Sequence, residues 1–65
     1  MRFILVPRRT SYGTEMVWIN VDHIDTISID HKNEGSRIAM RDILLYCEDD
    51  VGVVLEKIRR AEDDP

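Results

Sequence analysis

The chain has 65 residues, of which 43% are hydrophobic and 34% charged, and its formal net charge is −4. This composition is that of one small globular domain spanning residues 1–65, and it excludes an intrinsically disordered chain. No apolar run approaches the roughly 18 residues that a membrane span requires, and the single cysteine excludes both an internal disulfide and a cysteine-based zinc site within one chain.

The first apolar run, residues 2–7, has the length of a β-strand and is too short for the core of a signal peptide. We therefore expect a cytoplasmic protein. The first strand is predicted to end at Pro7, because proline lacks the N–H that a paired strand uses. The polar, glycine-containing segment 8–13 predicts a hairpin loop. Residues 15–21 carry large apolar groups on both faces, which predicts a central strand.

Residues 20–25 are rich in Asn and Asp, which predicts a tight corner with one helical turn that directs Val21 and Ile24 inward. Alternation then resumes at 26–31, where we expect Ile27 and Ile29 inward and Ser28 and Asp30 outward. A turn at 32–35 precedes two further strands at 37–41 and 43–47, which are joined at Asp42. In the last run, one side carries Ile43, Leu45 and Cys47, and the other carries Leu44 and Tyr46.

From residue 49 onward the hydrophobic period becomes helical. Asp49 and Asp50 are suitable residues for a helix start, where negative charge is favoured. The residues predicted to form the apolar stripe are Val51, Val54, Leu55, Ile58 and Ala61. Residues 62–65 read as a frayed acidic tail.

These elements predict an α+β fold, a small antiparallel β-meander of four to five strands with one C-terminal amphipathic helix. One helix can cover one face of the sheet, so the other face retains apolar side chains drawn from Ile4, Val6, Met16, Trp18, Leu44 and Tyr46. A patch of this size typically marks an interface. We therefore expect a homodimer or larger oligomer, with Met16, Trp18, Leu44 and Tyr46 in the protein interface, or a surface that docks on another protein.

Two clusters suggest chemistry. Asp22, His23 and Asp25, with Asp30-His31 nearby, are residue types that bind metals, but their spacing matches no standard site and a solvated polar corner explains them equally. Cys47 paired with a histidine could act as a nucleophile. It lies, however, on the same face of its strand as the apolar Leu45, which predicts a buried, inert thiol. We therefore predict no catalytic residue, no metal and no cofactor.

Basic residues suggest a second function. Arg8, Arg9 and Tyr12 in the predicted loop, with Arg37 and Arg41 on a nearby strand, could form a basic patch with an aromatic for single-stranded nucleic acid. Solvated loop and edge-strand positions explain the same arginines.

One set of positions within residues 16–58 forms a pattern: Asn20, Asp22, Ile24 and Ile27 in the first strand and corner, Ile38 and Met40 in the middle strand, and residues 49–51 and 54–58 at the helix. In these positions the chain resembles the small flagellar proteins of the FlbD/SwrD type. Arg41-Asp42 stands where that family has a glycine turn, and Asp49 stands where it has glutamate. The resemblance implies the same fold and a cytoplasmic accessory protein without a catalytic centre.

The sequence thus predicts a non-enzymatic protein-interaction module that self-associates and docks on a larger protein, as a motility accessory or a phage-type modulator of a host protein. The alternative is a small nucleic-acid-binding regulator that uses Arg8 and Arg9.

Overall fold

The computed structural model describes residues 2–63. In this range the chain forms five β-strands, one 3-10 turn and one α-helix. The elements are β1 Phe3–Thr10, β2 Gly13–Asn20, the 3-10 turn Val21–His23, β3 Thr26–Ile29, β4 Ser36–Met40, β5 Ile43–Cys47 and α1 Val51–Asp63. The antiparallel α+β fold with a C-terminal helix is confirmed.

The sheet order is β2-β1-β5-β4-β3, so β2 and β3 are the two edges. The prediction that residues 15–21 form a central strand is therefore wrong. The large side chains on both faces of β2 do not reflect burial between two neighbouring strands, because Met16 and Trp18 are exposed while Ile19 is buried. Strand β2 pairs in full with β1 and has no second neighbour among the described residues.

The sheet consists of two units, the β1–β2 hairpin and the β3–β4–β5 meander. The ladder between β1 and β5, both described throughout, is one residue pair, Arg8 with Cys47. The Glu48 N–H adds a hydrogen bond to the Pro7 carbonyl at 2.9 Å. We call this narrow junction the seam.

Pro7 does not end the first strand, which continues to Thr10. The N–H and C=O of one strand residue point to the same side, and the Pro7 carbonyl faces Glu48. The missing N–H of Pro7 therefore faces the seam, and no hydrogen bond of the β1–β2 hairpin is lost. As a result the predicted loop at 8–13 shrinks to a two-residue turn at Ser11 and Tyr12.

The core lies between α1 and one face of the sheet. Its buried members are Ile4, Val6, Ile19, Ile38, Leu45, Cys47 and Val54, with Val21, Ile24, Ile27, Ile58 and Ala61 packed against them. The 3-10 turn directs Val21 and Ile24 inward as predicted, and the Asn20 side chain accepts a hydrogen bond from the Asp22 N–H at 2.9 Å.

Three side chains differ from the predicted pattern. Ile29 is exposed because it ends the edge strand β3, and Leu55 is exposed because α1 contacts the sheet through Val54 and Ile58 instead. Asp30, predicted to face outward, is buried because its carboxylate accepts hydrogen bonds from the main chain of the following loop.

The helix is also longer at its end than predicted. It includes Glu62, which lies 3.4 Å from Arg2, and it ends at Asp63. Residues 64 and 65 of the predicted tail lie outside the described residues. Within the described part of the chain, no helix has the length and apolar character needed to cross a membrane.

Candidate functional site: the outer sheet face

The sheet face opposite the core is lined by alternate residues of the strands. In β1 and β2, Ile4 pairs with Ile19 on the core side, so the neighbouring pair of Leu5 and Trp18 lies on the opposite face. We call this opposite surface the outer face. Its exposed large apolar side chains are Phe3, Met16, Trp18, Leu44 and Tyr46, which we call the apolar band.

The four predicted interface residues all lie in the apolar band. Met16 is 54% exposed, Trp18 67%, Leu44 48% and Tyr46 43%. Ile4 and Val6, which the sequence left open as members of this surface, are buried in the core instead. The strand register therefore decides which of the apolar residues remain outside.

Phe3 is a member of the apolar band that the sequence analysis missed. Phe3 lies two residues before Leu5 in β1 and therefore on the same face of the sheet, and Leu5 pairs with Trp18 across the hairpin. Pairing residues 3–10 with 13–20 about the Ser11–Tyr12 turn would have placed it there, but the expected end of the strand at Pro7 concealed this register.

One end of the apolar band borders the helix. Phe3, Leu5 and Trp18 line an open groove of about 320 Å³ together with Arg60 and Ala61 of α1. The Arg60 side chain lies 3.2 Å from Glu56. A groove this shallow suits the side chain of a protein partner better than an enclosed small molecule.

A row of polar and aromatic side chains crosses the middle of the outer face. Tyr46 of β5 pairs with Arg37 of β4. Because Arg8 pairs with Cys47, the next position along the seam places Arg9 beside Tyr46 on its other side. Arg9 donates to the Glu34 carbonyl at 2.8 Å, and the Nε atoms of Arg9 and Arg37 are both buried without a hydrogen-bond partner within the described residues.

The residues of the predicted basic loop do not form one patch in the structure. Arg8 and Arg9 lie in β1 with their side chains on opposite faces, and Arg8 lies 3.8 Å from Glu15. Tyr12 is almost fully exposed at the hairpin turn, away from Arg37 in β4. Arg9 and Arg37 remain together, with Tyr46 between them in place of Tyr12.

The three aspartates of the candidate metal cluster each bind a group of the protein itself. Arg2 donates to Asp22 at 2.7 Å, and this hydrogen bond and charge lower the pKa of Asp22. Asp25 accepts from the Arg41 main-chain N–H at 2.7 Å. Hydrogen bonds from the Lys32 and Asn33 N–H groups lower the pKa of Asp30 despite its burial. Among the described residues, no three His, Cys, Asp or Glu side chains are grouped so as to hold a metal ion.

Cys47 lies in the core beneath the seam and is 1% exposed. Burial raises the pKa of its thiol, so the nucleophilic thiolate is disfavoured at neutral pH. The fold therefore gives Cys47 the environment of a packing residue.

Comparison with known proteins found no matching family model, no matching curated protein and no matching solved structure.

Proposed function

We propose that this chain is a non-enzymatic, cytoplasmic interaction module that associates with a second copy of itself and docks on a larger protein. The observation that carries the proposal is the exposure of the apolar band. Trp18 and Tyr46 are large aromatic side chains on a sheet face that no described element covers.

Aromatic side chains supply much of the binding energy in protein interfaces because they bury a large area with little loss of conformational freedom. Trp18 and Met16 lie on the edge strand β2, and Tyr46 and Leu44 lie on the interior strand β5. The band therefore has a part at the sheet edge, suited to a second copy, and a part in the middle of the face, suited to a larger protein.

The size of the chain supports the same conclusion. A domain of about 60 residues buries only about 60% of the surface of its unfolded chain and is marginally stable by itself. Such domains commonly gain stability from disulfides, metals or partner chains. Here the one cysteine is buried and free, which leaves association with another chain as a source of stability.

The solution mass tests this proposal. Light scattering across a dilution series at low and high salt is expected to show a dimer or larger species that dissociates on dilution. Trp18→Ser is expected to raise the dissociation constant at least about tenfold, because interface anchors contribute about 2 kcal/mol or more. Tyr12→Ser, which alters an even more exposed aromatic at the hairpin turn, away from the apolar band, is the control. A wild-type chain that is monomeric at every concentration would contradict the proposal.

A second candidate function rests on Arg9, Tyr46 and Arg37. Two guanidinium groups on either side of an aromatic ring suit a phosphate backbone with a stacked base, as in proteins that bind single-stranded nucleic acid. Both arginines are fixed beside Tyr46 by the pairing of β4, β5 and β1, so the two charges and the ring share one surface. The net charge of −4 works against this function and places it second.

Fluorescence anisotropy with a labelled single-stranded oligonucleotide distinguishes this candidate. Binding is expected to weaken steeply with salt and to fall at least about tenfold in Arg9→Gln/Arg37→Gln. Arg60→Gln, on the helix, is the matched control. Absence of binding at low salt would remove the candidate.

A further inference from the structure

The outward side of β2 is an open hydrogen-bonding edge. The Val21 N–H donates to the Arg2 carbonyl at 2.9 Å, which continues the β1–β2 ladder and fixes which residues bond to β1. Main-chain groups alternate in direction along a strand, so the odd-numbered residues of β2 face β1. The even-numbered residues, Thr14, Met16, Trp18 and Asn20, therefore direct their N–H and C=O groups away from the sheet.

This edge lacks the features that keep strand edges apart. Edge strands are usually short, or carry lysine, proline or a bulge. Strand β2 has eight residues in unbroken register with β1 and contains none of these. Its one charged residue, Glu15, lies 3.8 Å from Arg8 of the same chain. The opposite edge, β3, has four residues.

We propose that two copies of the chain pair through β2, antiparallel and about a two-fold axis at Val17, so that their sheets join into one. This inference rests on the proposed self-association and names the element that performs it. In this register Thr14 lies opposite Asn20 of the second copy, and Met16 lies opposite Trp18. Every outward main-chain group of one copy then meets an outward group of the other.

Charge and length favour this register over an axis at Glu15 or at Met16. An axis at Glu15 would place the two Glu15 carboxylates opposite each other, which is destabilising. An axis at Met16 would leave Asn20 opposite the hairpin turn. With the axis at Val17, Glu15 lies opposite the apolar Ile19 of the second copy, and the whole of residues 14–20 is paired.

The side chains favour the same arrangement. On the outer face, each Trp18 ring is covered by a Met16 side chain of the second copy, and sulfur–aromatic contacts of this kind are favourable. Both residues are more than half exposed in a single chain, so both gain burial. The joined sheet also presents two apolar bands on one surface, which enlarges the area available to a larger protein.

Disulfide trapping tests the register. The N–H and C=O groups of Val17 point toward β1 and away from the second copy. Val17 and its counterpart therefore form a non-hydrogen-bonded pair, with a Cα–Cα distance of about 4.5 Å. That distance lies in the range that a disulfide spans. Val17→Cys is therefore expected to give a covalent dimer under mild oxidation, detected on a non-reducing gel.

Glu15→Cys is the matched control, because it lies on the same face of the same strand. Its counterpart lies four residues away along the strand, about 13 Å, and should not cross-link. Cys47 is present in both variants, and in the fold of the wild-type chain it is buried. Trapping at Glu15→Cys in preference to Val17→Cys would overturn the register.

Proline variants test the edge without a cysteine. Met16→Pro removes an outward N–H and is expected to convert the dimer to monomer in light scattering, with at least a tenfold rise in dissociation constant. Ile29→Pro is the control, since the Asp30 N–H donates to Gly35 and the neighbouring Ile29 therefore directs its own N–H outward on the other edge. Circular dichroism verifies that both variants fold.

The emission of Trp18, the single tryptophan, supplies a second readout, and its blue shift on association should be lost in Met16→Pro. A dimer that persists in Met16→Pro and fails to trap at Val17→Cys would overturn β2 pairing while leaving self-association intact. A wild-type chain that is monomeric throughout would overturn both.

Discussion

The Lys57 ammonium group donates a hydrogen bond to the main-chain carbonyl of Leu5, 2.7 Å away, and lies 2.6 Å from the Asp49 carboxylate. The Leu5 carbonyl shares the direction of the Pro7 carbonyl and so faces the side of β1 where pairing with β5 has ended. A helix side chain thus bonds to main chain that a neighbouring strand would otherwise satisfy.

Replacing this lysine should destabilise the fold. Lys57→Met keeps the aliphatic stem but leaves the Leu5 carbonyl and the Asp49 carboxylate without their partner, at an expected cost of about 1–2 kcal/mol. Urea unfolding followed by helix circular dichroism measures it. Arg60→Met, at an exposed position of the same helix, should change the midpoint little, and an equal effect of both substitutions would contradict the assigned role.

Gly35 should not tolerate a side chain. Its φ of 113° is in the region that L-residues avoid, and a Cβ placed there would lie 2.1 Å from the Cys47 carbonyl oxygen. We expect Gly35→Ala to lower the free energy of unfolding by about 2–3 kcal/mol.

Gly52 offers the contrasting substitution. It lies in the first turn of α1, and a Cβ there would meet no atom within 4 Å apart from its chain neighbours and the adjacent backbone of its own helix. Gly52→Ala should stabilise the fold by up to about 1 kcal/mol, because alanine favours helix. The two variants, measured in the same urea series, should shift the midpoint in opposite directions.

The stability of the fold should fall in acid partly through Asp30. Its pKa in the folded state is lowered by the Lys32 and Asn33 N–H groups, so its contribution is present above the unfolded pKa of about 4 and is lost as pH falls through the folded value. Asp30→Asn keeps an acceptor oxygen but cannot titrate.

Urea midpoints at pH 7 and pH 3 measure this effect. The wild-type midpoint should decrease more between these pH values than that of Asp30→Asn. Glu56, whose pKa is held at about 2 by Arg59 and Arg60, and Asp22 add to the decrease in both proteins. An identical decrease in the two proteins would exclude the contribution of Asp30.

Cys47 should react slowly with thiol reagents in the native state. Its sulfur is buried and the pKa of the thiol is raised by burial, so labelling by an aromatic disulfide should be at least about tenfold slower than in urea. Fast native labelling would show that the seam opens readily or that the thiol is accessible.

Hydrophobic periodicity was sufficient to predict the class of fold and most of the core. The alternation predicted in 26–31, 37–41 and 43–47 and the helical spacing after residue 49 each identified a real element, although β3 ends at Ile29 and β4 spans Ser36–Met40. These segments bury one face against a common core. The four predicted band residues also emerged on the exposed outer face, since a single helix covers one side of a sheet.

The predictions that were wrong concern the end of β1, the position of β2 in the sheet and the burial of Asp30. Each depends on which chain segments lie next to the residue in the fold, and hydrophobic periodicity does not reveal that. Pro7 is compatible with its strand only because its missing N–H faces the seam. Strand β2 is at the edge because β1 uses its other side to pair with β5, a strand that is distant from it in the chain. Asp30 is buried because the loop after it turns its N–H groups toward the carboxylate, a local bond that overrides alternation.

The narrow seam also bears on the order in which the molecule assembles. The β1–β2 hairpin and the β3–β4–β5 meander are each built from contacts between nearby residues, which close quickly, whereas the seam joins Arg8 and Cys47, which are 39 positions apart. We expect both units to form before the seam does. During that interval β1 as well as β2 presents an open edge, so the nascent sheet is exposed to pairing with other chains until Pro7 meets Glu48.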